Sequence, residues 1–470
     1  MSDASLIPPL PSGKLDEAVN REGTDSRKMQ GRHGKFLGRD PAVVPLWVAD
    51  MDFRSPQPIV DALVERASNG VYGYTDCPPQ LAAALVERLK TVYGCTAVEP
   101  EPSWFRWTPG LLPMLNHAVR ASCTPGVDAV AIPTPVYPPF LDAAGNNNVG
   151  LIKVPLVETP IDSVDVTVSV SSGQRTVKKL APTLRYEIDW PGLEAALADP
   201  ACKLLHFCNP HNPAGRCWTR TELAEVARLC VAHDVILCSD EVWGDVALTP
   251  EAHPFVSMLS LLATEDDEAS GAGAGDPDAA AGVPGLKSRL IILTSPSKCF
   301  NVAPLDIAVG IVPDDSLRRR FRAVGADSAE TGVFGYVAAT VAYTDPECEA
   351  WRLRLIDYLK ANRDYAAARL QRMGIQCVVP EASYLMWMDA VNVLPEEAKQ
   401  DAEEFFLAGG VGLSGGKPFG GGPTTVRLNF GCKREVLEEG LRRMEKHIEG
   451  AKTHEAMVKE IMAQSPKRQR

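Results

Sequence analysis

The sequence predicts an α/β protein in which a large domain, with a mostly parallel sheet flanked by helices, is joined to a smaller α+β domain. Short apolar runs alternate with amphipathic segments through the middle of the chain, which is typical of parallel strands covered by helices. After about Phe334 the pattern changes to long amphipathic segments at 345–373 and 434–450. With 470 residues and 45% hydrophobic composition, the chain is long enough for two such domains.

The predicted elements follow from these patterns in order along the chain. The clearest strands of the large domain are short and apolar, at 128–133, 203–208, 235–239 and 289–294. Between the second and third, Thr219 and Glu222 have the spacing of a capping box, so a helix begins there and completes a βαβ unit. The second domain has strand-like segments at 384–389 and 425–430.

These elements divide the chain. We expect an N-terminal arm with part of the small domain at 1–55, a large domain at 56–335, a C-terminal small domain at 336–450 and a tail at 451–470. Residues 264–285 begin acidic and continue as a Gly/Ala run, which buries little apolar area and predicts a flexible insertion. The segment 158–182 alternates Val with Ser and Thr, which is consistent with an extra hairpin.

Composition excludes several classes of function. The formal net charge of −12 argues against a nucleic-acid-binding surface, because phosphate contacts need clustered cations. No apolar run approaches the roughly 20 residues that span a bilayer, and the first residues lack a signal-peptide pattern, so we expect a cytoplasmic protein with no membrane partner. The 12 cysteines contain no C-x-x-C pair and are interpreted as buried reduced thiols rather than a metal site.

The segment after the strand at 289–294 carries the first candidate chemistry. Lys298 lies there next to Ser295 and Ser297. A lysine at the carboxyl end of a strand in an α/β sheet sits where such sheets bind ligands. A desolvated lysine is a Schiff-base nucleophile, and hydroxyls are suitable phosphate ligands. Taken alone, Lys298 would be interpreted as a surface turn residue, so the prediction depends on its context.

Polar side chains follow two other predicted strands. Asp240 comes directly after the strand at 235–239. A carboxylate there could keep a pyridine nitrogen protonated. When Asp240 is taken alone, a role as a helix N-cap explains it equally well. The turn at 209–215 contains two Asn-Pro steps that orient the Asn212 amide. His211 in the same turn is interpreted as a turn residue rather than a catalyst.

Four segments occur in an order that resembles the class I/II aminotransferase family of fold-type I pyridoxal-phosphate (PLP) enzymes. They are Asn-Pro-His-Asn-Pro-Ala-Gly at 209–215, Ser-Asp-Glu at 239–241, Ser-Pro-Ser-Lys at 295–298 and Val-Arg-Leu-Asn at 426–429. The resemblance covers nearly the whole chain. Longer strings resemble its cystathionine β-lyase branch of carbon–sulfur lyases, at 46–53, 72–75, 135–140 and 334–335.

The resemblance implies a PLP cofactor, no metal, and a role for each matching residue. Lys298 is expected to carry the cofactor and to be catalytic. The other expected cofactor contacts are Tyr74, Gly110, Leu111, Tyr137, Asn212, Asp240, Trp243, Ser295 and Ser297. Arg427 is expected to bind the substrate carboxylate as a bidentate fork, with Trp47 and Asp50 as further substrate contacts. Tyr74 is expected to reach the cofactor phosphate of the neighbouring subunit, which implies a homodimer.

Two positions depart from the wider family. Trp243 stands where a tyrosine often holds the ring oxygen, and Asp306 stands where aminotransferases usually carry a phosphate-binding arginine. The second departure favours a lyase over an aminotransferase.

The expected reaction is β-elimination from a cysteine-derived thioether, giving a thiol, pyruvate and ammonia. The thioether could be cystathionine-like or a cysteine conjugate of sulfur-containing secondary metabolism. Two alternatives stay open. One is transamination to a keto acid, and the other is a regulatory protein that keeps this fold without turnover.

Overall fold

The computed structural model describes residues 15, 17, 19–21, 23–29, 43–161, 164–169, 175–180, 183–264, 282–326 and 330–464. Its strands are β1 (Val44–Pro45), β2 (Phe105–Thr108), β3 (Ala129–Thr134), β4 (Gly150–Pro155), β5 (Val157–Ile161), β6 (Val164–Ser169), β7 (Arg175–Leu180), β8 (Thr183–Glu187), β9 (Cys202–Cys208), β10 (Ile236–Asp240), β11 (Leu290–Thr294), β12 (Ala308–Ile311), β13 (Gln376–Cys377), β14 (Leu385–Asp389), β15 (Val411–Gly412), β16 (Ser414–Gly415) and β17 (Thr425–Asn429). Its α-helices are α1 (Gln57–Ser68), α2 (Pro79–Thr91), α3 (Leu111–Ser122), α4 (Pro138–Asn146), α5 (Trp190–Leu197), α6 (Arg220–Ala232), α7 (Asp315–Ala323), α8 (Val333–Thr344), α9 (Pro346–Met373), α10 (Ala402–Ala408) and α11 (Arg434–Gln464).

A seven-stranded sheet forms the centre of the large domain, in the order β2-β12-β11-β10-β9-β3-β4. The strands from β11 to β4 pair in parallel, whereas β12 pairs antiparallel with both β11 and β2. The predicted α/β class with a mostly parallel sheet is therefore confirmed. The central strands are buried along their whole length because helices cover both faces, α3, α4 and α7 on one and α2, α5 and α6 on the other.

Helix α6 shows how local sequence places these elements. Thr219 accepts a hydrogen bond from the Glu222 backbone, and the Glu222 side chain accepts one from the Thr219 backbone, so the predicted capping box is confirmed. The C-terminal helix was predicted too short, because α11 continues past 450 to Gln464.

The small domain contains a four-stranded antiparallel sheet in the order β13-β14-β17-β16, which packs with α9 and α11 around one apolar core. The N-terminal segment contributes β1, which pairs in parallel with β15. The residues immediately before Trp47 are thereby tied to this domain.

The segment at 158–182 belongs to a hairpin, as predicted, in which β5 pairs antiparallel with β8 and β6 pairs antiparallel with β7. An isolated bridge between Leu184 and Val378 attaches it to the small domain. Most of the predicted insertion, residues 265–281, lies outside the described residues. The chain on either side of it meets where the Val283 amide donates to the Leu261 carbonyl at 2.7 Å.

The cysteines have the burial that was predicted for them. Eleven of the 12 cysteines are buried, and Cys77 is half-buried. Among the described residues, no helix is both long enough and apolar enough to cross a membrane.

Candidate active site

A cavity of about 480 Å³ opens at one edge of the central sheet. The carboxyl ends of β3, β9, β10 and β11 meet at this edge because these strands are parallel. Strand β12 is antiparallel to both β11 and β2, so β2 runs in the same direction as β11. The carboxyl end of β2 therefore lies at this edge too. The predicted segments at 209–215, 239–241 and 295–298 each come at one of these strand ends, whereas Arg427 reaches the cavity from β17 and Asp50 from the N-terminal segment. Most of the predicted site residues line the cavity: Asp50, Gly110, Leu111, Tyr137, Asn212, Asp240, Trp243, Ser297, Lys298 and Arg427.

Lys298 lies in the turn after β11, and its side chain enters the cavity. Its Nζ donates to the Ala49 carbonyl at 3.2 Å and lies 5.8 Å from the centre of the Trp243 ring. Burial, with a smaller contribution from the Arg427 cation, lowers the pKa of Lys298 to about 8, while Asp50 and Asp240 oppose the shift. A substantial fraction of this amine is therefore neutral near pH 7.5, as a nucleophile or general base requires.

Asp240 is the last residue of β10, and only 5% of it is exposed. Burial raises the pKa of Asp240 to about 6, although a hydrogen bond from the Val242 backbone at 3.1 Å and the charge of Lys298 act in the opposite direction. A buried carboxyl with a raised pKa gains most from a cationic partner, and the cavity gives a ligand access to it.

Arg427 lies on β17 and is 4% exposed. Its guanidinium donates to Asn212 Oδ1 at 3.1 Å and to the Trp47 carbonyl at 3.3 Å, while none of the described residues accepts a hydrogen bond from Nε. Within the described part of the chain, no carboxylate forms an ion pair with it. Burial accordingly lowers the pKa of Arg427 to about 10. An unpaired cation facing a cavity is a strong binding point for an anion.

The N-terminus of α3 forms another wall of the cavity. Gly110 has φ 97°, a conformation that favours glycine, and its amide donates to the Thr108 carbonyl at 2.8 Å. Helix α3 begins at Leu111, and no side chain in the described part of the chain caps it, so the amides of its first turn are available to an anion. Ser297 lines the same cavity.

Three predicted site residues lie outside the cavity lining. Tyr74 is fully exposed, at 100%. Ser295 is buried, donates to the Ile307 carbonyl at 2.7 Å, and accepts from the Ser297 amide at 3.0 Å, so its hydroxyl organises the turn. Trp47 contributes its carbonyl to Arg427, while its ring nitrogen donates to the Lys28 carbonyl at 3.2 Å.

Asp50 lines the cavity, but its carboxylate is already paired. Arg21 binds both of its oxygens, at 2.9 and 3.2 Å, and Arg21 and Lys28 also pair with Asp52, at 3.0 and 2.9 Å. The N-terminal arm therefore fixes this stretch of the cavity wall. Sequence reasoning missed both cations, because no periodic pattern marks the arm.

Phe419 was also missed. The guanidinium carbon of Arg427 lies 4.6 Å from the centre of its ring, which is 4% exposed. The signal that could have found it is the glycine-rich segment 415–422, in which a single aromatic residue precedes the strand of Arg427.

The residues present fit a PLP cofactor. Asp240 offers a carboxylate for the ring nitrogen, and Tyr137 offers an aromatic ring beside it. The first turn of α3 and Ser297 offer donors for the phosphate, and Lys298 offers the amine for covalent attachment. The cavity has the size of a cofactor site, which is typically about 300–1,000 Å³. No group of residues that could hold a metal ion occurs within the described ranges.

Comparison with known proteins agrees with this fit. A family model described as aminotransferase class I and II matches residues 42–444. Cystathionine β-lyase PatB of Bacillus subtilis is 32% identical, over 92% of this chain and 98% of its own. The crystal structure of OvoB superposes with a TM-score of 0.75 at 32% identity, covering 93% of this chain and 99% of that one. Cystalysin from Treponema denticola, whose structure contains pyridoxal 5′-phosphate, gives a TM-score of 0.77 at 26% identity over 93% of this chain and 99% of its own.

The match to the family model spans well over half of the chain, and solved relatives contain the cofactor that the cavity fits. The chain therefore belongs to the aminotransferase class I and II family, and it is an enzyme whose cofactor is pyridoxal 5′-phosphate.

Proposed function

We propose that this enzyme is a carbon–sulfur β-lyase that cleaves a cysteine-derived thioether with water to a thiol, pyruvate and ammonia. The observation that carries the proposal is the convergence on one cavity of Lys298, Asp240 and an Arg427 that pairs with no carboxylate of the described residues. Two relatives named cystathionine β-lyase are 32% and 30% identical to this chain, and three named putative cystathionine β-lyase are 25–26% identical, whereas two named aspartate aminotransferase are 22–23% identical.

Each of these residues has a role that its surroundings support. PLP, when bound, supplies an electron sink for the substrate α-carbon. Arg427 binds the α-carboxylate and so fixes the orientation of the α-carbon. Asp240 keeps the proton on the cofactor's ring nitrogen. Lys298, whose pKa is lowered to about 8 by burial, takes the α-proton as its neutral amine and can return a proton to the departing sulfur.

Asp306 supports a lyase over an aminotransferase. It lines the cavity and is exposed, in a left-handed conformation with φ 49°. An arginine at this position would add a cation for the cofactor phosphate. With Asp306 there instead, the first turn of α3 and Ser297 bind the phosphate without that cation. The thioether is either cystathionine-like or a cysteine conjugate of sulfur-containing secondary metabolism.

Transamination is the second candidate, because it needs the same residues and the family name covers it. The deciding experiment incubates the PLP-loaded enzyme with cystathionine and a panel of cysteine S-conjugates. A lyase releases free thiol and pyruvate in equal amounts, whereas an aminotransferase forms a keto acid and converts the cofactor to pyridoxamine phosphate. Lys298→Ala is the control, and turnover by this variant would overturn the proposed role of Lys298. An inactive regulatory protein would give none of these products.

The active enzyme is proposed to be a homodimer in which Tyr74 completes the neighbouring site. Tyr74 is fully exposed, and Val64, Val71 and Tyr72, which lie close to it in the sequence, are more than half exposed. Clustered exposed apolar side chains are typical of an interface.

A further inference from the structure

The side chains that surround Arg427 form a continuous chain of contacts that leads away from the cavity. Arg427 lies opposite Trp387 in the ladder between β14 and β17, so the two side chains share one face of the sheet. Phe419 lies in the turn between β16 and β17. Its ring centre is 4.6 Å from the Arg427 guanidinium carbon and 5.6 Å from the centre of the Trp387 ring.

The turn that carries Phe419 has little freedom to move. The Phe419 carbonyl accepts from the Val136 amide at 2.9 Å, next to Tyr137, which lines the cavity. A Cβ on Gly421 would lie 2.7 Å from the ring of Trp387, so the tryptophan packs directly on the backbone of the turn. Trp387 itself is 1% exposed.

The hairpin holds the far side of Trp387. The indole nitrogen of Trp387 donates to the Tyr186 hydroxyl at 3.0 Å, and that hydroxyl donates to Glu158 Oε2 at 2.6 Å. Tyr186 lies on β8 and Glu158 lies opposite it on β5. The hydroxyl is thus bonded on both sides, which fixes the orientation of the indole ring.

These contacts hold Arg427 without neutralising it. An aromatic face and a backbone carbonyl attract a guanidinium but carry no formal negative charge, so they orient the fork and do not compete with a carboxylate ligand. A carboxylate side chain in the same place would compete with the substrate.

We propose that Phe419 and Trp387 are positioning residues for substrate α-carboxylate recognition, and that the β5–β8 hairpin supports them through Tyr186. This inference rests on the proposed role of Arg427 in binding the carboxylate. It assigns the hairpin a part in substrate binding, although none of the described residues of the hairpin lines the cavity.

The test compares kcat/KM for a cysteine S-conjugate with that for the same compound as its α-carboxamide, using PLP-loaded enzyme. Arg427→Lys provides the reference, and it should reduce the preference for the acid over the amide. Phe419→Leu should reduce that preference about tenfold, as loss of a desolvated cation–π contact implies. Tyr186→Phe, which removes one oxygen, should reduce it about threefold. In both variants the change should appear in KM for the acid, with kcat nearly unchanged, because carboxylate binding is shared by the ground and transition states.

The matched control is Phe405→Leu, which removes another ring from the small domain, one that packs on Phe406 and His447. It should leave the preference unchanged. If Phe419→Leu and Tyr186→Phe reduce kcat/KM equally for the acid and for the amide, the two residues are merely structural and the inference is wrong. If Phe419→Leu does not fold, Tyr186→Phe decides by the same criterion. If Arg427→Lys itself leaves the preference intact, the proposed carboxylate role fails and this inference fails with it.

Discussion

Burial acts in opposite directions on the two ionisable groups that face the cofactor site. It raises the pKa of Asp240 to about 6 and lowers the pKa of Lys298 to about 8, so in both cases it favours the neutral form. In the protein without its cofactor, the charged forms of Asp240 and Lys298 therefore cost free energy. A protonated ring nitrogen of the bound cofactor would lower that cost at Asp240.

This cost predicts a pH-dependent effect of Asp240→Asn on the cofactor-free protein. Between the ordinary pKa of aspartate, about 3.9, and the folded value, the folded protein keeps a proton that the unfolded chain releases. The contribution of Asp240 to the free energy of unfolding therefore falls as pH rises. Asp240→Asn has no carboxyl group at this position, so it does not lose stability in this way. In urea unfolding, the stability of Asp240→Asn relative to the natural protein should rise by about 1 kcal/mol between about pH 5 and about pH 7.5.

Asp142→Asn is the control, because it removes an exposed carboxylate that does not line the cavity. A relative stability of Asp240→Asn that is constant or declines with pH would contradict the prediction. Binding of PLP should respond in the opposite sense, because the amide cannot stabilise a protonated ring nitrogen.

At the scale of single elements, the capping box of α6 contributes stability without contributing to catalysis. Thr219 accepts from the Glu222 amide at 3.2 Å and is not part of the cavity lining. Thr219→Ala should lower the free energy of unfolding by about 1 kcal/mol, because one amide at the helix start loses its acceptor. Urea unfolding measures this loss. Thr219→Ser keeps the hydroxyl and should unfold like the natural protein, and kcat/KM should be unchanged in both variants.

The insertion between the 3₁₀ turn ending at Leu261 and the segment beginning at Gly282 is predicted to be dispensable. Leu262 and Val283 form a bridge, so the two flanks already lie side by side. Because the entropy of loop closure varies slowly with length, a short Gly/Ser linker in place of residues 265–281 should change stability by less than about 1 kcal/mol. kcat/KM should also stay the same. A folded, PLP-loaded variant with reduced turnover would show that the segment covers the site, and a Gly/Ser replacement of the original length would separate length from composition.

At the scale of the whole molecule, the proposed homodimer predicts rescue between two inactive variants. Lys298→Ala lacks the amine that is proposed to be catalytic, and Tyr74→Phe lacks the hydroxyl that is proposed to complete the partner's site. After subunit exchange, about half of the dimers should be mixed, and each mixed dimer carries one intact site. Activity should therefore recover to about a quarter of the natural level. Verified exchange without recovery would mean that each site is complete within one subunit.

The sequence was enough to predict the fold class, and strand ends together with the family resemblance identified most of the residues that line the cavity. Its apolar runs identify the buried strands, and Asp240, Asn212 and Lys298 each follow one of them. Parallel strands end at a common edge, so order along the chain implies proximity in space. The capping box at Thr219 was equally local, since all of its partners lie within one helical turn.

Tertiary structure alone decided the environment of each group. Arg21 holds the Asp50 carboxylate, Ser295 donates to the Ile307 carbonyl, and the Arg427 guanidinium packs on the ring of Phe419. Each of these contacts joins residues that no periodic pattern in the sequence relates. Periodicity in a sequence records which face of an element is buried, but not which distant side chain meets it there. The pKa of a buried group and the pairing of a buried charge depend on that distant partner, so they became visible only when the chain was folded.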